Sequence, residues 1–392
     1  MDDLFNPSHE HLQLRQLVRS FAQSEVEPHA EINDRQESLD VNALRRLGEL
    51  GLLGITVGED AGGAGMDATA AVIAHEELAA VDPGFALAYL AHSMLFANNL
   101  NVNGSDEQRR RFLPDACSGK KIGGMCMSEP GAGTDVLGMS TNAVRKGDDY
   151  VLNGAKMWIT NGAINDDELG DVFLVYARVK DAPRHQLSMF IVEKGFEGFR
   201  LGQRIKGKLG MRASTTAELV FEDCKVPVAN RVGDEGEATL HMMRNLELER
   251  LTLAAMSSGI ARRSIEIMNG YASDRQAFGK PLREFGQIQR HLAESYAAYM
   301  ASRTYIYHTA AHLHLDATGH RLDSDGVKLF ASTMAKEVAD RAIQVLGGYG
   351  YVAEYKVERL WRDAKLLEIG GGTLEAHHKN MARELARLEK LL

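Results

Sequence analysis

The run Cys126-Met127-Ser128-Glu129-Pro130-Gly131-Ala132-Gly133-Thr134-Asp135, followed by Trp158-Ile159-Thr160-Asn161-Gly162, decides how the rest of the chain reads. The proline and the small residues fix an extended turn whose backbone N–H groups and hydroxyls can approach a polar, planar ligand. An indole lies a short strand away, placed to cover an aromatic ring. That pairing suits a flavin. The plainer alternative is a surface turn beside a core tryptophan, and the two features in this order favour the ligand.

Upstream of the turn, from about His9 to Lys120, the apolar spacing is helical. Leu12, Leu14, Leu17, Val18 and Phe21 cluster at threes and fours, as do Val72, Ile73, Leu78 and Ala79 after the loop Gly62-Gly63-Ala64-Gly65. Downstream the pattern shortens to strand-like runs at Tyr150-Val151-Leu152, Val172 to Tyr176, Leu187 to Val192 and Ala217 to Phe221, separated by Gly, Asn and Asp clusters. After Val226-Pro227 the helical period returns around Leu240 to Asn269, Gln287 to Asp316 and Ser324 to Leu346, with a shorter segment after Thr373. The expectation is an α+β chain: a helical domain over 1–120, an inserted β domain over 121–233 and a helical bundle over 234–392. Two glycine runs, Gly347-Gly348-Tyr349-Gly350 and Gly370-Gly371-Gly372, interrupt the bundle and allow backbone to approach a ligand.

Bulk properties narrow the function. The 392 residues, 44% hydrophobic and 25% charged, are ordinary for a globular protein long enough for several layers. A net charge of -9 argues against nucleic-acid binding, which needs clustered positive charge. Cys117, Cys126 and Cys224 are an odd, widely spaced set without metal-ligand spacing, which predicts a reducing, cytoplasmic location. Neither a membrane-length apolar run nor a cleavable signal is evident, so the chain is expected to be soluble.

Glu249 is the candidate base. On a helix it shares a face with Leu246, Leu253 and Met256, so its carboxylate is directed among apolar side chains, and a buried carboxylate needs a reason. The plainer reading pairs it with Arg244 or Arg250. Glu247 falls on roughly the opposite side and is expected to be a solvated charge. His308, His312 and His314 are read on one helix without a carboxylate at matching spacing, hence as surface or interface residues, and no metal is expected. His377-His378-Lys379 and the basic C-terminal helix are read as a solvated face, and Cys126 has no evident redox partner.

The chain resembles the acyl-CoA dehydrogenase family along nearly its whole length, most closely the isovaleryl-CoA and related branched-chain members. The resemblance rests on the ordered set Ser128 to Asp135, Lys156-Met157-Trp158-Ile159-Thr160-Asn161-Gly162, Lys208-Leu209-Gly210-Met211-Arg212, Arg275-Gln276-Ala277-Phe278-Gly279, Gln344 to Gly350 and Arg362-Asp363-Ala364-Lys365. It implies an N-terminal helical domain, a central β-barrel-like domain and a C-terminal four-helix bundle, with FAD between the last two. It further implies that Met127, Ser128, Trp158 and Thr160 contact the flavin ring and that Thr134 lies near both cofactor and CoA. Arg275, Phe278, Gln344, Gly347 and Gly348 would hold the adenine and pyrophosphate end of FAD, partly across a subunit boundary, in a dimer or a dimer of dimers. Thr373 and Glu375 are further expected FAD contacts. Tyr176, Ala177, Leu248, Arg250, Gly370, Gly371 and Gly372 are expected to line the substrate.

Many family members take the catalytic glutamate from the loop matching Gly370 to Thr373, where this chain has Gly371. Isovaleryl-type members carry it on the bundle helix, where this chain has Leu248-Glu249-Arg250. A thioester α-hydrogen is a weak acid, so Glu249 needs desolvation to strengthen it and the enolate needs donors, one of which the resemblance implies is the Gly371 N–H. The expected reaction is dehydrogenation of a short or medium, β-branched acyl-CoA to the trans-2-enoyl-CoA. The hydride goes to flavin N5 and the electrons pass on to an electron-transferring flavoprotein. The glycine loop is expected to leave empty volume for the branch. Leu367 and Leu240 stand where the isovaleryl-type pattern has tyrosines, which predicts a larger apolar pocket, and Phe285-Gly286 replaces the usual Phe-Gln pair. An acyl-CoA oxidase on the same fold, and a non-catalytic flavin or acyl-CoA scaffold with Glu249 facing away, are the alternatives.

Overall fold

The Ser8 side chain accepts a hydrogen bond from the His11 N–H and opens α1 (His9–Phe21). There follow α2 (Glu27–Gln36), α3 (Val41–Glu49), α4 (Ala68–Ala79), α5 (Pro83–Leu90), α6 (Asn99–Asn103) and α7 (Asp106–Cys117). Side chains cap most of them: Asp40 opens α3, Asp67 α4 and Asp82 α5, and Ser105 with Gln108 forms a capping box on α7. The computed structural model describes residues 3–179, 183, 186–316 and 319–388.

The apolar stripe of α1 is narrower than its sequence suggests. Leu14, Val18 and Phe21 are buried, but Leu12 and Leu17 remain 38% and 40% exposed. Arg15 takes a place in the stripe instead. Its guanidinium meets Glu76 at 2.8 Å, Glu77 at 2.6 Å and the Tyr307 hydroxyl at 2.5 Å.

The β domain comprises β1 (Gly123–Cys126), β2 (Asn142–Lys146), β3 (Asp149–Thr160), β4 (Val172–Val179), β5 (Ser188–Glu193), β6 (Phe199–Arg204), β7 (Thr216–Pro227) and β8 (Arg231–Val232). Strand order is β6-β7-β3-β2-β4-β5-β8, with β1 also on β4. β4 pairs in parallel with β1 and β2, and the remaining pairs are antiparallel. Both faces of β4 are covered, which is why its sequence is continuously apolar rather than alternating. Phe173, Val175 and Ala177 join Tyr150, Phe190 and Phe221 on one side. On the other, Val172, Leu174 and Tyr176 meet Phe96, Leu100, Phe112 and Leu113 from the helices.

The C-terminal helices are α8 (Ala238–Asp274), α9 (Gly286–His312), α10 (Arg321–Leu346), α11 (Val357–Leu367) and α12 (Leu374–Leu385), with a ribbon of β9 (Gln276–Ala277) and β10 (Lys280–Pro281) after α8. The middle of α8 is buried on all sides because it runs between the N-terminal helices and the bundle. One core joins Val72 and Leu78 of α4, Leu251 and Ile260 of α8, Ile306 of α9, Val327 and Ala335 of α10 and Leu367 of α11. A charge network crosses the same boundary. Glu76 takes hydrogen bonds from Ser258, Arg303 and Tyr307, and Glu77 from Arg19 and Arg262, as well as those from Arg15. Burial pushes the Glu77 carboxyl up, but its arginines outweigh burial and hold it down at about 2. Among the described residues no helix is long and apolar enough to cross a membrane.

Candidate active site

The turn after β1 is closed by its own backbone, with Glu129 and Ala132 exchanging N–H···O bonds of 3.0 and 3.1 Å. Its inner side is saturated. The buried Glu129 carboxylate accepts from Ser140 N at 2.6 Å, Ser140 Oγ at 2.7 Å, Thr141 N at 2.9 Å and Lys156 Nζ at 2.9 Å. Burial raises this carboxyl, but Lys156 and the Ser140 and Thr141 donors overcome that and bring it to about 2. Lys156, fully buried, also donates to Met127 O at 3.0 Å, and Met157 N donates to Ser128 O at 2.9 Å. The turn is thus fastened to β3 at Met127 and Ser128, leaving its outer edge at Gly131, Gly133 and Thr134 exposed.

β3 bulges at this point. Lys156 pairs with Leu219 and Ile159 with Ala217, so Met157-Trp158 stand opposite a single residue of β7. Trp158 adopts φ 66, uncommon for a bulky residue, and its side chain is left 61% exposed. It is therefore not a core indole. An exposed tryptophan held in strained backbone beside an anchored turn with open space on its outer side, where a Cβ on Gly131 or Gly133 would meet nothing within 4 Å, fits a planar ring such as the flavin of FAD. Thr160, at the end of β3, is half-buried.

Glu249 lies on the enclosed stretch of α8, 8% exposed, with Oε2 lacking any hydrogen-bond partner among the described residues. Burial pushes its carboxyl up to about 7, against the nearby positive charges of Arg250 and Lys328. Neither arginine considered from sequence pairs with it. Arg250 instead reaches Asp325 at 3.0 Å and the Gly371 carbonyl at 3.2 Å, and Arg244 donates to Asn103 at 3.3 Å. Gly371 faces Glu249 directly: a Cβ there would lie 3.6 Å from Oε1 and would collide with Leu253 Cδ1. Its φ of 66 and the φ of 108 at Gly372 are glycine conformations. The expected empty volume beside Gly371 is thus taken by Leu253, projecting from α8 one turn after the glutamate.

The other expected residues divide by location. Tyr176 is buried, its hydroxyl accepting from Asn99 Nδ2 at 3.3 Å. Ala177 cannot share that surface, because successive strand residues alternate and its side chain enters the β core. Leu248 is packed into the main core. Gly370 has ordinary room, with Leu366 O 3.5 Å from a Cβ there. Thr373 caps α12, accepting from Ala376 N at 3.3 Å, and Glu375 is exposed in its first turn. Leu367 is fully buried, but Leu240 is 60% exposed and points away from the interior. At the far end of the bundle, the Arg275 guanidinium stacks 5.9 Å from the Tyr349 ring, beside the exposed Gln344, Gly347 and Gly348. Phe278, at φ 49 in the ribbon turn, is 96% exposed.

Three further readings are corrected. Glu247 is buried, accepting from His320 N at 3.1 Å, because the far side of an enclosed helix is not solvent. His377 is fully buried, with Nδ1 2.7 Å from Asp325 Oδ1, so only His378 and Lys379 keep the solvated face. His314 lies beyond the end of α9, off the helix that carries His308 and His312. No group able to hold a metal occurs among the described residues. Sequence reasoning missed Lys328, whose Nζ donates to Gly372 O at 2.6 Å, and Asp325, which joins Arg250 to His377. Both fall on α10, three residues apart and so on one helix face, which was the available signal.

Family models of the acyl-CoA dehydrogenase N-terminal, middle and C-terminal domains match residues 8–120, 124–224 and 239–386. The mitochondrial isovaleryl-CoA dehydrogenase of Solanum tuberosum is 42% identical over 95% of this chain and 90% of its own length. The 2-methylacyl-CoA dehydrogenase of the same plant is 40% identical over 95% and 90%. Butyryl-CoA dehydrogenase from Megasphaera elsdenii superposes with a TM-score of 0.93 at 34% identity, covering 99% of this chain and 100% of that one. A chain in the electron transferring flavoprotein structure of Acidaminococcus fermentans gives 0.92 at 34% identity, over 97% and 99%. An acyl-CoA dehydrogenase complexed with FAD from Bacillus anthracis gives 0.90 at 32%, over 97% and 67%. With three domain models in order and relatives alike over nearly its full length, the chain belongs to the acyl-CoA dehydrogenase family, flavoprotein oxidoreductases that use FAD to dehydrogenate acyl-CoA thioesters.

Proposed function

We propose that Glu249 removes the α-proton of a short or medium, β-branched acyl-CoA, giving the trans-2-enoyl-CoA. The observation that carries this is a dry carboxylate, raised to about 7 by burial, lying against the glycine loop with one oxygen unpartnered. A base titrating near neutrality is ionised enough to act and strong enough to accept a carbon-bound proton. Arg250 and Lys328 grip the carbonyls of Gly371 and Gly372, holding the loop so that the Gly371 N–H can donate to the thioester oxygen as negative charge develops there. Trp158, Met127, Ser128, Thr134 and Thr160 form the flavin-side wall; Tyr176, Arg250, Gly370 and Leu253 border the acyl group. Bound FAD supplies the acceptor for the β-hydride.

The exposed Phe278, Arg275, Gln344, Gly347 and Gly348, together with Thr373 and Glu375, support an FAD site completed by a second copy of the chain, in a dimer or a dimer of dimers. An electron-transferring flavoprotein is the proposed acceptor, and the cytoplasm the proposed location. The branched-chain preference draws on the 2-methylacyl and isovaleryl relatives. Anaerobic mixing of the FAD-loaded protein with acyl-CoAs of graded length and β-branching should bleach the flavin most with branched chains, and Glu249→Gln should abolish bleaching. Full bleaching by that variant removes Glu249 as base, and peroxide release in air without an added acceptor makes the protein an oxidase.

A further inference from the structure

Lys328 projects from α10 into the same enclosed region as Glu249 and is itself fully buried. Its Nζ donates to the Gly372 carbonyl at 2.6 Å, and among the described residues no carboxylate oxygen comes within ion-pair distance of it. A buried ammonium satisfied by one carbonyl is costly unless its charge serves something near it. Its neighbours are few. Asp325, three residues earlier on α10, holds Arg250 at 3.0 Å and His377 at 2.7 Å through Oδ1, its Oδ2 lacking a hydrogen-bond partner among the described residues, and Glu368, after α11, holds Lys365 at 2.6 Å. Glu249 reaches the glycine loop from the α8 side while Lys328 reaches it from the α10 side.

We propose that Lys328 is a positioning residue for the base: it fixes the Gly372 carbonyl, and its positive charge keeps the otherwise unpartnered Glu249 carboxylate ionised in a dry cavity. The inference rests on Glu249 being the base, but its electrostatic content does not. Burial pushes Lys328 down to about 7 with Glu249 opposing the fall, and burial pushes Glu249 up to about 7 with Arg250 and Lys328 opposing the rise. Each charge thus favours the other. Other charges facing Lys328 are Arg250, which disfavours its protonation, and Asp325 and Glu368, which favour it. His377 on α12, committed to Asp325, completes the surroundings.

The test separates the hydrogen bond from the charge. Lys328→Gln keeps a donor for Gly372 O but removes the charge, and Lys328→Arg keeps both. The Glu249 carboxyl band is followed by difference infrared spectroscopy of the FAD-loaded protein between pH 5 and 9, assigned by its disappearance in Glu249→Gln. Removing a cation disfavours the carboxylate, so the Lys328→Gln midpoint should rise by about one unit or more, from about half ionised at pH 7 to about a tenth. Flavin reduction at pH 7 should then slow about fivefold and recover toward pH 9. The Lys328→Arg midpoint should stay in place. A Lys328→Gln midpoint within about 0.3 unit of the parent overturns the proposal, as does a Lys328→Arg midpoint raised by about one unit should the glutamine variant not fold. A moved infrared midpoint together with undiminished turnover by Glu249→Gln upholds the electrostatic role of Lys328 while removing Glu249 as base.

Discussion

A carboxylate held in a dry cavity must cost the folded protein stability, and Glu249→Gln measures that cost. The carboxyl titrates at about 7 in the folded chain against an ordinary 4.5, burial being the main cause. The folded state therefore binds more protons than the unfolded state between these values, so the group's contribution is fully present below pH 4.5 and is lost as pH rises through 7. At about 1.4 kcal/mol per unit, the penalty of ionised Glu249 approaches ~3 kcal/mol at pH 8 and stays under ~1 kcal/mol at pH 5. A glutamine of the same shape has no charge to desolvate. Urea unfolding of parent and variant, both FAD-loaded, should show Glu249→Gln gaining roughly 2–3 kcal/mol relative to the parent on going from pH 5 to pH 8. An offset that does not change between the two pH values would mean that the carboxylate is solvated or partnered in the folded protein, and the reasoning that makes it a strong base would fail with it.

Lys156→Met removes one partner of the buried Lys156–Glu129 pair, and should cost roughly 3–5 kcal/mol and weaken FAD binding, whereas adding Glu129→Gln, which removes the stranded charge and keeps an acceptor for the Ser140 and Thr141 donors, should restore part of the stability; urea unfolding and FAD titration check both, and unchanged stability in the single variant would show the pair is not what fastens the turn. Arg15→Met withdraws one donor each from Glu76 and Glu77, which keep Arg303, Arg19 and Arg262, so the loss should be only about 2–3 kcal/mol by urea unfolding with the flavin site intact. A large loss of bound FAD in that variant would contradict the separation of the two regions.

How much of this was legible in the sequence follows from the physics each part depends on. Periodicity reports which side of an element meets a core, so the order of helical, β and helical regions was readable, and so was the turn after β1, whose glycines and proline act locally. The face of α8 carrying Glu249 was readable for the same reason. Glu247 was misread because the wheel gives the opposite face but not what lies beyond it, and α8 has protein on every side. His377 looked like part of a basic surface because its partner, Asp325, is remote in sequence. Leu253 in the space beside Gly371, Arg15 inside the α1 stripe and the bulge that turns Trp158 outward are likewise products of contacts between distant segments.

Burial alone does not single out Glu249. Glu76, Glu77, Glu129, Glu247 and Glu249 are all buried, and desolvation raises the carboxyl of each, yet only Glu247, bonded by backbone N–H groups alone, and Glu249 end above the ordinary value. The difference is hydrogen bonding. Glu76 and Glu77 are saturated by arginines, serine and tyrosine, and Glu129 by Lys156 and the Ser140 and Thr141 donors, so their charges are satisfied in place and their work is to join helices or hold a turn. Around Glu249 the cations present are committed elsewhere, Arg250 to Asp325 and Gly371, Lys328 to Gly372. They lower the cost of the charge through space without capping the oxygens. A carboxylate whose charge is tolerated but whose lone pairs remain free can be ionised near neutral pH and can still accept a proton, and both conditions are required of a group that must deprotonate carbon.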